Sequence, residues 1–290
     1  MTRFCHLPEH RAAVKSFAIL ATGLCALAAA HAQSSVEHGR YLVEGILTCG
    51  NCHSPRGPDG IIDGRRLYSG GPQTWDEPTF LAKGSNITPD PETGIGRWSE
   101  ADIRRAIQEG RRPDGSQLAP IMPYAFYRVF LPDDLNSVMA YLRSIPAVRH
   151  QVQRPKYKAP MHVEYVPNSD KPPSDMRDPV QRGFYLATIG HCMECHSPMA
   201  GDRHDYANLA HGGQEFRGPW GISVSRNITS DPEKGIGKWS DPEIKRGDHT
   251  GHSEGWHADA AAHGLCVVRP HDGCRSRRDH RVPAHAAAVT

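Results

Sequence analysis

Five residues recur in this chain with the same spacing, as Cys49-Gly50-Asn51-Cys52-His53 and as Cys192-Met193-Glu194-Cys195-His196. On a helix, cysteines three positions apart share one face, and the next residue sets an imidazole one step further round. Two thiols so placed can add to the two vinyl groups of one haem, and the adjacent histidine then reaches the iron as proximal ligand. A thioredoxin-like redox pair does not require the trailing histidine, and half of a zinc site calls for a second cysteine pair nearby. The histidine follows in both copies. The expected cofactor is therefore haem c at two covalent sites, held by Cys49, Cys52, Cys192 and Cys195, with His53 and His196 on the metal.

Each motif opens a longer repeat. Gly39-Arg40-Tyr41-Leu42 precedes the first motif and Gly183-Phe184-Tyr185-Leu186 the second, and both run on into His-Ser-Pro. Asn86-Ile87-Thr88 through Gly94-Ile95-Gly96-Arg97-Trp98-Ser99 returns as Asn227-Ile228-Thr229 through Gly235-Ile236-Gly237-Lys238-Trp239-Ser240. This is the pattern of a tandem duplication of one haem-binding module.

Local signals divide the first module further. Ser99 with Asp102 predicts a capped helix start, and Gly110 its end. Pro132-Asp133-Asp134 predicts the start of a second helix, on which Leu135, Val138, Met139 and Leu142 form one apolar stripe before Pro146. Between them lies Ala119-Pro120-Ile121-Met122-Pro123-Tyr124. A methionine between two prolines sits on a stiff loop, so Met122 is the expected sixth, axial ligand to the first iron. Its rival, Met139, lies on the helix stripe and is expected to pack. Residues 146–179 hold seven prolines and little apolar periodicity, and read as an extended strap.

The chain resembles the class I c-type cytochromes, and more narrowly the multihaem cytochrome subunits of periplasmic or membrane-bound alcohol, aldehyde and gluconate dehydrogenases. The two Cys-x-x-Cys-His motifs, both Asn-Ile-Thr and Gly-Ile-Gly-x-Trp-Ser stretches, and Pro120-Ile121-Met122-Pro123-Tyr124 carry that resemblance. It implies an all-α fold of small helical domains wrapped round haem, passing single electrons from a dehydrogenase towards quinone or a terminal oxidase. It also implies a non-catalytic role, with the dehydrogenase and a downstream acceptor as partners. Two motifs rather than three set this sequence apart from the three-haem subunits. The competing reading is an enzyme, a dihaem peroxidase with an open second haem site.

The two ends of the sequence read differently from its body. Arg3, Arg11 and Lys15 precede the apolar stretch Phe17 to Ala30, and Ala30-His31-Ala32 has the form of a signal-peptidase site. An exported, periplasmic protein starting near Gln33 is expected. Lys+Arg 34 against Asp+Glu 32 leaves no basic field for nucleic acid. A mean hydropathy of -0.56 and the lack of a long apolar run argue against a stable membrane span in the mature chain.

After Arg246 the repeat breaks off, and residues 247–290 hold seven of the 18 histidines. A metal-binding tail and a disordered appendage are two readings of that composition. A third comes from the genetic code, by reading each codon one nucleotide later. Trp256-His257 then forces glycine opposite Gly115, and His263-Gly264 gives methionine or threonine opposite Met122. Asp279 and His280 give isoleucine or threonine opposite Val138 and Met139, and Val282 and Pro283 permit tyrosine and leucine opposite Tyr141 and Leu142. A one-nucleotide frameshift near Arg246 would thus leave the second domain incomplete and its haem site impaired. The expected organisation is a signal at 1–32, one cytochrome c domain at 33–146, a linker at 147–179, an incomplete second domain at 180–246 and a frameshifted tail at 247–290.

Overall fold

The computed structural model describes residues 33–250 except 34, 59, 72, 161–164, 169, 202 and 219–220. The expected signal segment, and all of the expected tail beyond Thr250, lie outside the described residues.

Helical residues 35–41 tighten into a π-turn over Leu42–Ile46, which leads to the short helix α1 (Gly50–His53). Helix α2 (Glu100–Glu109) begins at a reciprocal capping box between Ser99 and Asp102 and stops at Gly110, whose φ of 66° is the left-handed turn that glycine adopts without strain. The short α3 (Tyr124–Tyr127) precedes α4 (Pro132–Ser144), which carries its proline in the first turn, where no N–H is missed. The stripe on α4 faces inward, with Leu135, Val138, Met139 and Leu142 all buried, so Met139 is a packing residue. Helices α5 (Pro179–Ile189) and α6 (Cys192–His196) follow, and α7 (Asp241–Thr250) is the last described element.

The expectation of an all-α fold is corrected here. Strand β1 (Thr74–Asp76) pairs antiparallel with β2 (Phe80–Lys83), and β2 also pairs with β3 (Lys156–Tyr157). Strands β4 (Met199–Ala200) and β5 (Arg203–His204) form a small ribbon, and β6 (Glu215–Gly218) pairs with β7 (Gly221–Val224). These strands are at most four residues long. Apart from β3 they are hairpin arms between tight turns, and all are too brief for a two-residue hydrophobic period to stand out in the sequence.

The two hairpins β1–β2 and β6–β7 occupy equivalent places after the two cysteine helices. Around them the main-chain bonding repeats. The Ile87 N–H donates to the Tyr68 carbonyl at 2.9 Å and the Ile228 N–H to the Ala210 carbonyl at 3.0 Å. Ile95 bonds Thr88, and Ile236 bonds Thr229, at 2.9 Å in both cases.

One apolar cluster spans both halves. Leu42, Val43, Phe126, Tyr127 and the α4 stripe are joined there by Tyr185, Ile189 and Met193. The Tyr185 hydroxyl donates to Asp134 Oδ2 at 2.6 Å and accepts the Leu131 N–H at 3.3 Å, fastening α5 to the start of α4. Asp134 also meets His38 Nε2 at 2.6 Å. Helix α4 lies very close to residue 39, where a Cβ would stand only 1.9 Å from the Ser137 carbonyl oxygen. Gly39 is therefore the contact at which the two helices touch.

Candidate functional site

The cysteine helices are built alike. The residue before each first cysteine adopts a left-handed backbone, Thr48 with φ 48° and His191 with φ 45°. This conformation is costly for side chains other than glycine, asparagine and aspartate, and a branched threonine resists it most. It turns the chain sharply so that α1 begins directly after Cys49 and α6 begins on Cys192.

Each motif histidine is then fixed through one ring nitrogen. His53 Nδ1 lies 2.7 Å from the Ser85 carbonyl oxygen, and His196 Nδ1 lies 2.6 Å from that of Arg226. Ser85 and Arg226 each stand directly before Asn-Ile-Thr. A carbonyl can only accept, so Nδ1 carries the proton and Nε2 keeps its lone pair for a metal. Burial holds the His53 pKa down and keeps the ring neutral, the ligating form. Sequence reasoning missed both carbonyl partners because a backbone oxygen has no side-chain signature.

The loops press closely on these helices. A Cβ on Gly84 would come within 1.8 Å of the Cys52 carbonyl oxygen, and one on Gly71 within 2.3 Å. The Ser54 and Ser197 hydroxyls, both fully buried, accept the Tyr68 and Ala210 N–H groups at 3.0 and 3.2 Å. Cys49, Cys52, Cys192 and Cys195 form no disulfide. Burial pushes Cys49 up to about 12 and Cys52 up to about 11, the latter helped by the charge of Glu194. Cys195 rises to about 12 for the same two reasons, in the same order. Met193 of α6 lies in the cluster against which Cys49 packs, so the two cysteine helices share one core.

The two sites differ in cover. His53 is buried and His196 half-buried. Met122 packs on the large cluster that also takes Cys49. Its N–H donates to the Ala119 carbonyl at 3.0 Å, and Ala119 in turn packs with Phe80 and Ala82 of β2. Two residues on from Met122, the Tyr124 hydroxyl is buried without a hydrogen-bond partner among the described residues. Met193 is 4% exposed within the shared core, and Met199 lies on the exposed strand β4. The second-site counterpart of Met122, at His263, lies outside the described residues.

Among the described residues no group of three or more His, Cys, Asp or Glu could hold a bare metal ion. Two thiols and one imidazole held through Nδ1, repeated, fit a haem whose vinyl groups and iron would take those three groups. No helix among the described residues is long and apolar enough to cross a membrane.

No protein-family model matches the chain. Curated relatives do. The cytochrome c subunit of a quinone-dependent alcohol dehydrogenase from Gluconacetobacter polyoxogenes is 31% identical over 225 residues, which are 72% of this chain and 46% of that subunit. The cytochrome subunit of a fructose dehydrogenase from Gluconobacter japonicus is 31% identical over 236 residues, 75% of this chain and 45% of that protein. A dihaem c-type cytochrome from Cereibacter sphaeroides is 33% identical over 164 residues, 53% of this chain and 54% of its own length. The chain is similar to these cytochrome c subunits and to the dihaem cytochrome c. It spans about half the length of the dehydrogenase cytochrome subunits it matches.

Proposed function

We propose that this chain is a dihaem cytochrome c that carries single electrons from a periplasmic or membrane-bound dehydrogenase towards a respiratory acceptor. The observation that carries the reading is the duplicated anchoring of a motif histidine, His53 on Ser85 and His196 on Arg226, each beside two cysteines that form no disulfide. Cys49 and Cys52 would hold one haem and Cys192 and Cys195 the other, with His53 and His196 as proximal ligands and Met122 as the distal ligand of the first. Bound there, the haem supplies reversible one-electron chemistry at iron. The chain's own residues fix the two imidazoles, exclude water from the first site and keep both cysteine helices in one core. The names of the relatives support the partner class, a dehydrogenase, and the signal-like segment supports export to the periplasm.

The same reading includes two tandem modules, the second incomplete. Its Asn227, Thr229, Ile236 and Ile244 are all half-exposed, whereas Asn86, Thr88, Ile95 and Ile103 are buried. A frameshift near Arg246 accounts for the lost closing half. The half-open His196 is what favours the alternative, a peroxidase-type second site. Haem quantitation with reductive titration decides between them. Two covalent haems per chain, both cycling without peroxide turnover, are expected. Peroxide turnover that survives loss of the first haem would overturn the carrier reading. Resequencing codons 240–260 tests the frameshift, which an undisturbed gene lacking ATG in the shifted frame at 263–264 would sink.

A further inference from the structure

His53 is held at two points. Its ring donates to the Ser85 carbonyl at 2.7 Å, and its own carbonyl accepts the Gly70 N–H at 2.8 Å. The Ser85 carbonyl belongs to the peptide joining Ser85 to Asn86, and the Gly70 N–H to the peptide joining Ser69 to Gly70. Residues 148–152, the start of the strap after α4, grip the chain at both peptides. At the first, Asn86 Nδ2 donates to the carbonyls of Val148 and His150 at 2.8 and 3.3 Å, and the Val148 N–H donates to Thr88 Oγ1 at 3.2 Å. At the second, His150 Nδ1 lies 2.8 Å from the Ser69 carbonyl oxygen.

A carbonyl only accepts, so the His150 ring is the donor to Ser69. The Ser69 carbonyl and the Gly70 N–H are the two ends of one peptide dipole. A hydrogen bond into its oxygen polarises the group and makes its N–H a stronger donor to His53. Packing fixes the same place. Gly70 has φ 105°, and a Cβ there would stand 2.4 Å from Val152 Cγ2 and 3.1 Å from the Gly84 carbonyl oxygen. Ser69, Asn86 and Thr88 are all buried, where a lost hydrogen bond leaves its partner unsatisfied. Arg149, on the same strap, pairs with Glu92 at 2.5 Å in an exposed position, where such a pair adds little.

We propose that His150 is a positioning residue for the proximal ligand of the first haem. Its ring pins the strap to the Ser69–Gly70 peptide, and the strap's carbonyls pin Asn86, so that the Ser85 carbonyl is held against His53 Nδ1. This inference rests on the reading of His53 as an iron ligand. An imidazole that donates firmly through Nδ1 is the more basic ligand and favours ferric iron. His150 therefore holds the potential of that haem down, opposite in sign to the thioether of Met122. The stretch after α4 is then more than a spacer, since its first residues belong to the site.

The test is a spectroelectrochemical titration of the full haem-loaded chain. His150→Ala is expected to shift upward the midpoint potential of one haem, the one that shows the methionine–iron band, and to leave the other in place. His150→Asn sets an amide Nδ2 where the ring Nδ1 stands, and restores the wild-type value. Arg149→Ala breaks only the exposed pair on the same strap and moves neither potential. An unshifted first haem in His150→Ala, an equal shift at both haems, or a shift reproduced by Arg149→Ala overturns the proposal. Should His150→Ala fail to load the first haem, recovery of that haem and its potential in His150→Asn supports the assignment, and no recovery overturns it. A chain that shows these shifts yet takes no electron from any dehydrogenase fails the carrier reading alone, and one without covalent haem fails both.

Discussion

His53 is held to the Ser85 carbonyl at 2.7 Å, and the glycine just before that serine has no space for a side chain. The carbonyl that orients the imidazole is therefore positioned by a backbone-to-backbone contact, Gly84 against Cys52. A methyl group at residue 84 would overlap main-chain atoms that no rotamer change can move. Gly84→Ala is expected to cost about 1–3 kcal/mol, and haem quantitation is expected to fall by one haem per chain while the second site still loads.

Two methionines separate ligation from packing. Met122→Ala is expected to abolish the methionine–iron charge-transfer band and lower the potential of one haem, with a small change in melting temperature. Met139→Ala, in the α4 stripe, should cost about 2–5 kcal/mol and leave the band in place. Optical spectra and thermal unfolding on the two variants distinguish these outcomes.

The bridge at Tyr185 predicts a stability effect that crosses the two halves. Removal of its hydroxyl leaves the Leu131 N–H and the Asp134 carboxylate without that partner. Tyr185→Phe should destabilise by about 1–3 kcal/mol, with faster proteolysis in the 146–179 strap as a second readout.

The cap of α2 gives a pH dependence of known sign. Hydrogen bonds from the Ser99 hydroxyl, then Arg105, hold the Asp102 carboxyl below its usual range. A group depressed in the folded state stabilises fully above its unfolded pKa, near 4, and loses that contribution as pH falls through the folded value. Asp102→Asn should flatten the acid limb of a denaturation curve below about pH 4, and Ser99→Ala should cost about 1 kcal/mol at neutral pH.

Legibility in the sequence followed how local each interaction is. Ser99, Gly110 and Pro132 act within one turn of their own helix, and their signals read correctly. Met139 was readable as a core residue because its stripe repeats at helical spacing. The hairpins were not readable, being shorter than any period they could display. Gly-x-Tyr-Leu occurs twice, yet Tyr41 is 49% exposed and Tyr185 is 1% exposed. The difference comes from α4 and α3, far along the chain, so no local pattern encodes it. The left-handed Thr48 and His191 were hidden for the opposite reason, since neither residue type advertises the turn it makes.

Met193 stands between the two cysteines of the second motif, yet its side chain belongs to the core built by Leu42, Val43 and Tyr127. The second cysteine pair is thus hung from the wall of the first half. A lesion in that wall, at Leu42, Val43 or Tyr127, is felt at Cys192 and Cys195 without touching them.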